Sequence, residues 1–445
     1  MNAPFGWLQI ARLGLVQAAL GAIVVLTTST LNRIMVVELA LPALLPGMLV
    51  AWHYAVQIAR PRLGHGSDIG SRRTPWIIGG MVVLALGGAL AALATAWMGS
   101  SRWGGIGLAV VAFSLIGLGV AACGTSLLVL LAKRVAPERR AGAATLVWLM
   151  MIVGFAVTAG TSGPFLDPYS PRRLVLVATS VCAIALLVTL LSMAGLEGRS
   201  EKETDTAQRS DPAPPQREFG SALREVWADP AARGFTVFVF VSMLAFSAQD
   251  LILEPFAGSV FGYTPGQSTS LSGVQHGGVL AGMLLAAFAG RRVRGRSTGT
   301  LRAWTISGCI ASALALAGLC IAGIVGGDWP FKLNVWVLGA ANGAFSIAAI
   351  GSMMRLAGEG PHGSEGVRMG LWGAAQAIAF ALGGLLGTGL SDLARALIGT
   401  PGTAYAAVFA IEALLFAVSA RLAARVGADA PTHAALPMAW SASRG

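Results

Sequence analysis

The amino-acid sequence predicts an all-α integral membrane protein of twelve transmembrane helices arranged as two six-helix halves. Three observations predict it. First, the 445 residues are 55% hydrophobic and only 11% charged, whereas soluble domains run at about a quarter charged. So few charges cannot cover the exterior of a water-soluble globule of this length. Second, the charges cluster between long neutral tracts, many of which reach the ~20 apolar residues a spanning helix needs. Third, with the N-terminus placed inside, 25 of the 31 Lys and Arg fall on one side of the membrane and six on the other. That asymmetry is the positive-inside bias. It puts both termini in the cytoplasm, requires an even number of spans, and accounts for the net charge of +11 without nucleic acid.

The predicted spans lie near residues 13–32, 39–59, 75–98, 105–132, 142–163, 174–195, 233–254, 268–290, 301–325, 333–356, 368–390 and 403–424. Arg12 precedes the first apolar run and no A-x-A cleavage site follows it, so the run is expected to be a retained helix rather than a signal peptide. After the sixth span, LEGRSEKETDTAQRSDPAPPQRE is charged and contains proline, which reads as a flexible linker. Next, Phe219, Leu223, Val226 and Trp227 share one helical face, which suggests a short helix on the membrane surface. The expected organisation is therefore an N-terminal half (1–195), a linker with that helix (196–231), a C-terminal half (232–426) and a tail (427–445). Paired six-helix repeats are a transporter plan, with any site near the midplane between the halves. Cys123, Cys182, Cys309 and Cys320 lie in apolar tracts without a CxxC and read as small buried hydrophobes. Gly273/Gly277, Gly278/Gly282 and Gly383/Gly387 have GxxxG spacing, which suits close helix packing.

Motifs narrow the class. In RPRLGHGSDIGSRRTPW, between spans two and three, Gly64, Asp68, Arg72 and Arg73 resemble the loop signature GxxxDRxGRR of the major facilitator superfamily. In that signature the acid caps a helix or pairs with arginine and latches one conformation. Ile69 replaces the usual arginine and Gly70 comes one residue early. VAPERRAG resembles the same superfamily's turn between spans four and five. The corresponding turn of the second half, AGRRVRGRS, has no acid, so a latch is expected to be lopsided.

Three further stretches, LNRIMVVELALPALLPG, WHYAVQIARPRLGHGSDIGSRRTPWIIGG and QDLILEPFAGSVFG, together resemble the bacteriochlorophyll delivery family, the PucC-like and LhaA-like light-harvesting assembly factors of purple bacteria. The resemblance runs through nearly the whole chain, and QD-x-x-LEP is its most specific mark. It is greatest to the branch labelled a bacteriochlorophyll synthase chain. It implies a major facilitator fold in the inner, photosynthetic membrane, bacteriochlorophyll as the bound cofactor, and partners among light-harvesting polypeptides or enzymes of pigment synthesis. The implied function is delivery of pigment to antenna assembly or late pigment synthesis.

The residues themselves suggest where a pigment could bind. Magnesium in the pigment takes an imidazole, amide, carboxylate, carbonyl or water as axial ligand. His276 and His53 fall within spans and are the candidate axial ligands; an interhelical hydrogen bond is the alternative for each. His276 is flanked by Gly273, Gly277 and Gly278, which leave room for a macrocycle or for another helix. His65, His362 and His433 lie in loops or the tail. Gln275, Gln249, Asp250 and Glu254 are the other candidate pigment-contacting groups. Asp250 and Glu254 are four residues apart and share a helix face, with Pro255 expected to end the helix just after them, near the outer surface. Anchoring a loop, contacting pigment or a partner, and carrying protons remain open roles for them. Glu38 is expected to pair with Arg33, and Glu412 and Asn342 are further polar residues at membrane depth. No HExxH or P-loop occurs, nor the DxxxD site of a prenyltransferase, so a non-catalytic role is expected. A proton-coupled transporter of a small amphiphile and a scaffold subunit of a pigment-synthesis complex are the alternatives.

Overall fold

The structure, a computed structural model, describes residues 4–57, 73–136, 139–197, 224, 226–289, 301–358 and 365–426. Among the described residues there are twelve main helices. They are α1 (Trp7–Glu38), α2 (Leu44–Val56), α3 (Thr74–Met98), α4 (Arg102–Arg134), α5 (Arg140–Leu166) and α6 (Pro171–Met193). In the second half they are α7 (Pro230–Phe261), α8 (Pro265–Ala289), α9 (Leu301–Val325), α10 (Phe331–Gly358), α11 (Glu365–Ile398) and α12 (Pro401–Val426). Eleven are long and apolar enough to cross a membrane; α2, at 13 residues, is a shorter apolar helix. It starts later than the sequence suggests because the chain reverses between Leu39 and Ala43, where Ala40 takes a φ of 49°. Of the expected surface helix, Val226 and Trp227 are helical, one buried and one exposed, while Phe219 and Leu223 lie outside the described residues.

Buried apolar side chains form two main cores, one running from Phe5 to Leu196 and joined by Leu251, the other from Phe235 to Ala423. Outward positions carry leucines such as Leu86, Leu187, Leu314 and Leu414, all more than half exposed. That inversion suits lipid as the solvent. Between the cores, α5 packs on α8 and α2 on α11. The GxxxG glycines act mainly as contact points. A Cβ on Gly282 would sit 1.9 Å from the Ala340 carbonyl of α10, and one on Gly273 would sit 2.7 Å from Gly160 of α5. Gly277 alone of the six faces open space.

Two departures from regular helix geometry, one in α1 and one in α7, shape the centre of the molecule. α1 contains two π-helical turns, Leu26–Thr30 and Ile34–Glu38. Each adds a residue and turns the subsequent side chains by about 100°. Thr30, Asn32 and Arg33, at or between these turns, are all buried. α7 does not stop at Pro255, contrary to the sequence expectation. It runs on to Phe261 and ends at Gly262 with a φ of 66°. Proline lacks an N–H, so Pro255 leaves the carbonyl of Leu251, four residues back, without its helical donor. The side-chain amide of Asn32 donates to that carbonyl. The helix survives its proline because a residue from the other half completes the missing bond.

Replacing Asn32 with leucine is expected to cost about 1–3 kcal/mol of stability, the price of an unmet buried carbonyl. With Pro255→Ala, which restores the backbone donor, the same replacement is expected to cost clearly less. Thermal unfolding of the four proteins in detergent measures the difference, and equal costs in both backgrounds would place the role of Asn32 elsewhere.

Candidate functional site

The ends of the helices that carry most of the Lys and Arg form a basic face, and the opposite ends a far face. The two halves are joined by hydrogen bonds on the far-face side of the molecule. Asp167, just after α5, accepts from the Thr264 hydroxyl at 2.6 Å and the Gly266 N–H at 3.2 Å, at the start of α8. Asp392, in α11, accepts from the N–H groups of Ala43 and Leu44 at 2.9 and 2.8 Å, at the start of α2. Each half therefore supplies a carboxylate to a helix N-terminus of the other, where unsatisfied donors and the helix dipole favour an anion. Thr30 and Thr269 add a hydroxyl pair at 3.0 Å.

The expected latch lies elsewhere, on the basic side of the sequence. Its members Gly64, Asp68 and Arg72 fall outside the described residues. Arg73 is described, and its backbone N–H donates to Glu197 at 2.8 Å, beside the N–H of Thr74 at 2.7 Å. Among the described residues, the acid that caps α3 is Glu197, at the end of the first half.

The motif stretches LNR and QDLILEP meet between α1 and α7. Beside the Asn32–Leu251 bond, Arg33 is only 2% exposed. It pairs with Glu38 at 2.5 Å, as the sequence suggests, and donates to the Tyr263 carbonyl at 2.6 Å. Glu254 is buried and faces Arg33, Asp250 and Ser272. Neither of its oxygens has a hydrogen-bond partner among the described residues. Arg33 lies across Gly258, where a Cβ would come within 3.0 Å of Nη2 and 3.2 Å of Nε. A cavity of about 630 Å³ opens over this arginine at the far face, walled by Glu38, Asp167, Tyr169 and Tyr263. Burial pushes the phenols of Tyr169 and Tyr263 above their ordinary pKa; at Tyr169 the Glu38 carboxylate adds to this and Arg33 opposes it.

Asp250, Gln275 and His276 form a second group between α7 and α8. Gln275 donates to Asp250 at 3.4 Å, and His276 lies next to Gln275 on the same helix. His276 Nδ1–H donates to the Ser272 carbonyl at 2.8 Å, which leaves Nε2 with the ring's lone pair. Phe155 of α5 meets the imidazole edge-on at 5.0 Å. These acids lie deeper than the sequence suggests. Because α7 continues to Phe261, Asp250 stands about 16 Å and Glu254 about 10 Å from its far end at ~1.5 Å per residue.

Two candidates stand apart from this group. Gln249 is fully buried, shares the helix face of Ile252 and Phe256, and has no hydrogen-bond partner for either amide atom among the described residues. His53 is on α2, with its backbone carbonyl against Gly117 of α4. Its Nδ1–H donates to Val50 at 3.3 Å, and Gln57 donates to its Nε2 at 2.9 Å. Asn342 accepts from Ser312 at 2.8 Å, and Glu412 is buried within the second half. Sequence reasoning missed Asp167 and Asp392. Their signal was faint: single acids at far-face helix ends, each beside an expected turn.

A family model described as PUCC protein matches residues 30–430. The chain belongs to the PUCC protein family. Its resemblance through LNR, WHYAVQ and QDLILEP is thereby borne out. Among PUCC relatives, the chain is 53% identical over 433 residues to the protein named bacteriochlorophyll synthase 44.5 kDa chain of Rhodobacter capsulatus, covering 96% of this chain and 98% of that one. It is 31% identical to Protein PucC of Rhodobacter capsulatus, over 92% of this chain and 90% of that one. Solved structures of a peptide transporter POT (TM-score 0.68, 13% identity, 96% of this chain and 97% of that one) and a D-xylose-proton symporter (TM-score 0.65, 14% identity, 92% and 96%) share its fold. This PUCC protein is thus an all-α, multi-pass membrane protein of the major facilitator fold.

Asp392→Ala is expected to cost about 0.5–2 kcal/mol through loss of the α2 cap, and Asp392→Asn less. Thermal midpoints of the purified proteins measure both; equal losses for the two variants would point to lost charge rather than lost capping.

Proposed function

We propose that this PUCC protein binds bacteriochlorophyll and hands it on during light-harvesting assembly or late pigment synthesis, without itself catalysing a reaction. The observation that carries the reading is His276. A backbone carbonyl holds its Nδ1–H, and such outer bonds fix a ligating imidazole's tautomer and direction. The relatives' names, bacteriochlorophyll synthase 44.5 kDa chain and Protein PucC, supply the pigment context. The donor set fits the pigment's metal: a neutral imidazole nitrogen suits magnesium in a tetrapyrrole, and Gly277 next to it has open space. Gly273 and Gly278, by contrast, are filled by α5 and α10, so only one side of His276 has room. When bound, the pigment would supply light absorption. The chain's own residues hold the imidazole (Ser272), flank it with amide and carboxylate (Gln275, Asp250), and close the halves over it at the far face (Asp167, Asp392). His53, with both ring nitrogens engaged, is the weaker axial candidate. Antenna polypeptides or the synthesis enzymes are the proposed recipients, and a photosynthetic inner membrane the proposed location.

The buried carboxylates favour a second reading. Asp250, Glu254 and Glu412 lie inside helices, and ionisable groups at such depth often serve proton movement. Proton-coupled transport of a small amphiphile would use the same junction. A pigment-free scaffold role is the third possibility.

One preparation separates them. Protein purified from pigmented membranes is expected to carry bacteriochlorophyll absorbance in near-stoichiometric amount, reduced at least about tenfold by His276→Ala and little changed by His53→Ala. Colourless protein that takes up an amphiphile into vesicles only with a proton gradient would support transport; colourless protein that retains a synthesis enzyme would support the scaffold.

We also infer that the basic face is cytoplasmic and that the chain divides near residues 196–231. A reporter fused after Gly445 is expected to be active only in its cytoplasmic form. Periplasmic activity would reverse the orientation.

A further inference from the structure

Arg33 carries five N–H donors in a rigid fork. Nη1 serves Glu38 at 2.5 Å and Nη2 serves the Tyr263 carbonyl at 2.6 Å. Nε is buried and has no hydrogen-bond partner among the described residues. A buried donor left unmet is costly, more so on a charged group, so an occupant that offers an acceptor is favoured. Charge restricts what that acceptor can be. Glu38 already neutralises Arg33, and Asp167 adds a second carboxylate to the same cavity. A phosphate or carboxylate ligand would face two acids for one guanidinium. The remaining wall is apolar and aromatic: Val37, Pro168, Pro265 and the rings of Tyr169 and Tyr263. At about 630 Å³ the space lies in the range of small-molecule sites, ~300–1,000 Å³.

We propose that this far-face cavity binds the carbonyl end of a neutral amphiphile, with Arg33 Nε as the donor that reads a ketone or ester oxygen. Gly258 makes the site possible, because any larger residue there would press on Nε at 3.2 Å. The ring ketone or ester of a tetrapyrrole and the ester of a neutral lipid both have this chemistry. The site makes no use of His276, so it stands or falls apart from the axial-ligand reading.

The test is titration of the full-length protein in detergent, following quenching of its 12 tryptophans. The probes are bacteriopheophytin, which keeps the carbonyls but has no magnesium, and dioleoylglycerol. Gly258→Ala and Tyr169→Ala are each expected to raise the probe's Kd about tenfold, or 1.4 kcal/mol. Tyr169 lies in a loop, so its variant keeps the test open should Gly258→Ala fail to fold. A response with bacteriopheophytin assigns the site to pigment, and a response with dioleoylglycerol alone assigns it to lipid. Competition adds the charge criterion: methyl palmitate is expected to displace the probe better than palmitate. Binding of neither probe responding to either variant, or palmitate competing better than its methyl ester, would overturn the proposal.

Discussion

The constraint on which this structure turns is that a peptide group inside a bilayer has no water to fall back on. Pro255 breaks that rule within α7 by removing one N–H, and Asn32 of α1 repairs it. The repair has consequences beyond one hydrogen bond. It lets α7 extend to Phe261, which draws Asp250 and Glu254 inward from the membrane surface. It also ties the first helix of one half to the first helix of the other, setting Arg33 against Gly258 and beside Glu254. Two of the three sequence stretches that carry the family resemblance are thus the two sides of one joint.

Around that joint the polar chemistry is layered by depth. At the far face are the aspartate caps and the tyrosine-walled cavity over the Arg33–Glu38 pair. One to two turns deeper is Glu254, and deeper again the Asp250–Gln275–His276 group. Apart from the Asp392 cap, which joins α11 to α2, it lies along the seam where α1, α5, α7 and α8 approach, between the two cores. A major facilitator fold places its binding groups at such a seam, and here the seam holds titratable and hydrogen-bonding residues in unusual density for apolar surroundings. That placement is what makes a ligand-handling role physically reasonable for this PUCC protein.

Much of the fold was legible in the sequence because the solvent wrote it there. Apolar tracts of spanning length and a lopsided distribution of arginine required little knowledge of packing. The pairing of Arg33 with Glu38 was legible from their opposite charges, but its geometry was not: five residues apart they diverge on a regular α-helix, and the π-helical turn Ile34–Glu38 brings them together. What sequence could not supply was anything that crosses between halves. Proline within an apolar run reads as a helix end unless the partner amide more than two hundred residues away is known. Asp167 and Asp392 look like ordinary loop acids until α8 and α2 arrive beside them. His276 and His53 look equivalent in sequence, but local bonds distinguish them: one imidazole nitrogen keeps its lone pair beside an open glycine, while the other ring has partners at both nitrogens.

The crossed aspartates carry a last implication. Each half adds to a helix start of the other: Asp392 of α11 accepts from the first N–H groups of α2, and Asp167 joins the Thr264–Gln267 capping box that opens α8. The chain leaves α6 at Met193 and enters α7 at Pro230, helix ends that lie away from these contacts. Two fragments severed there would still hold complementary halves of a docking code, written in carboxylate and amide, by which each could recognise its proper mate in the plane of the lipid.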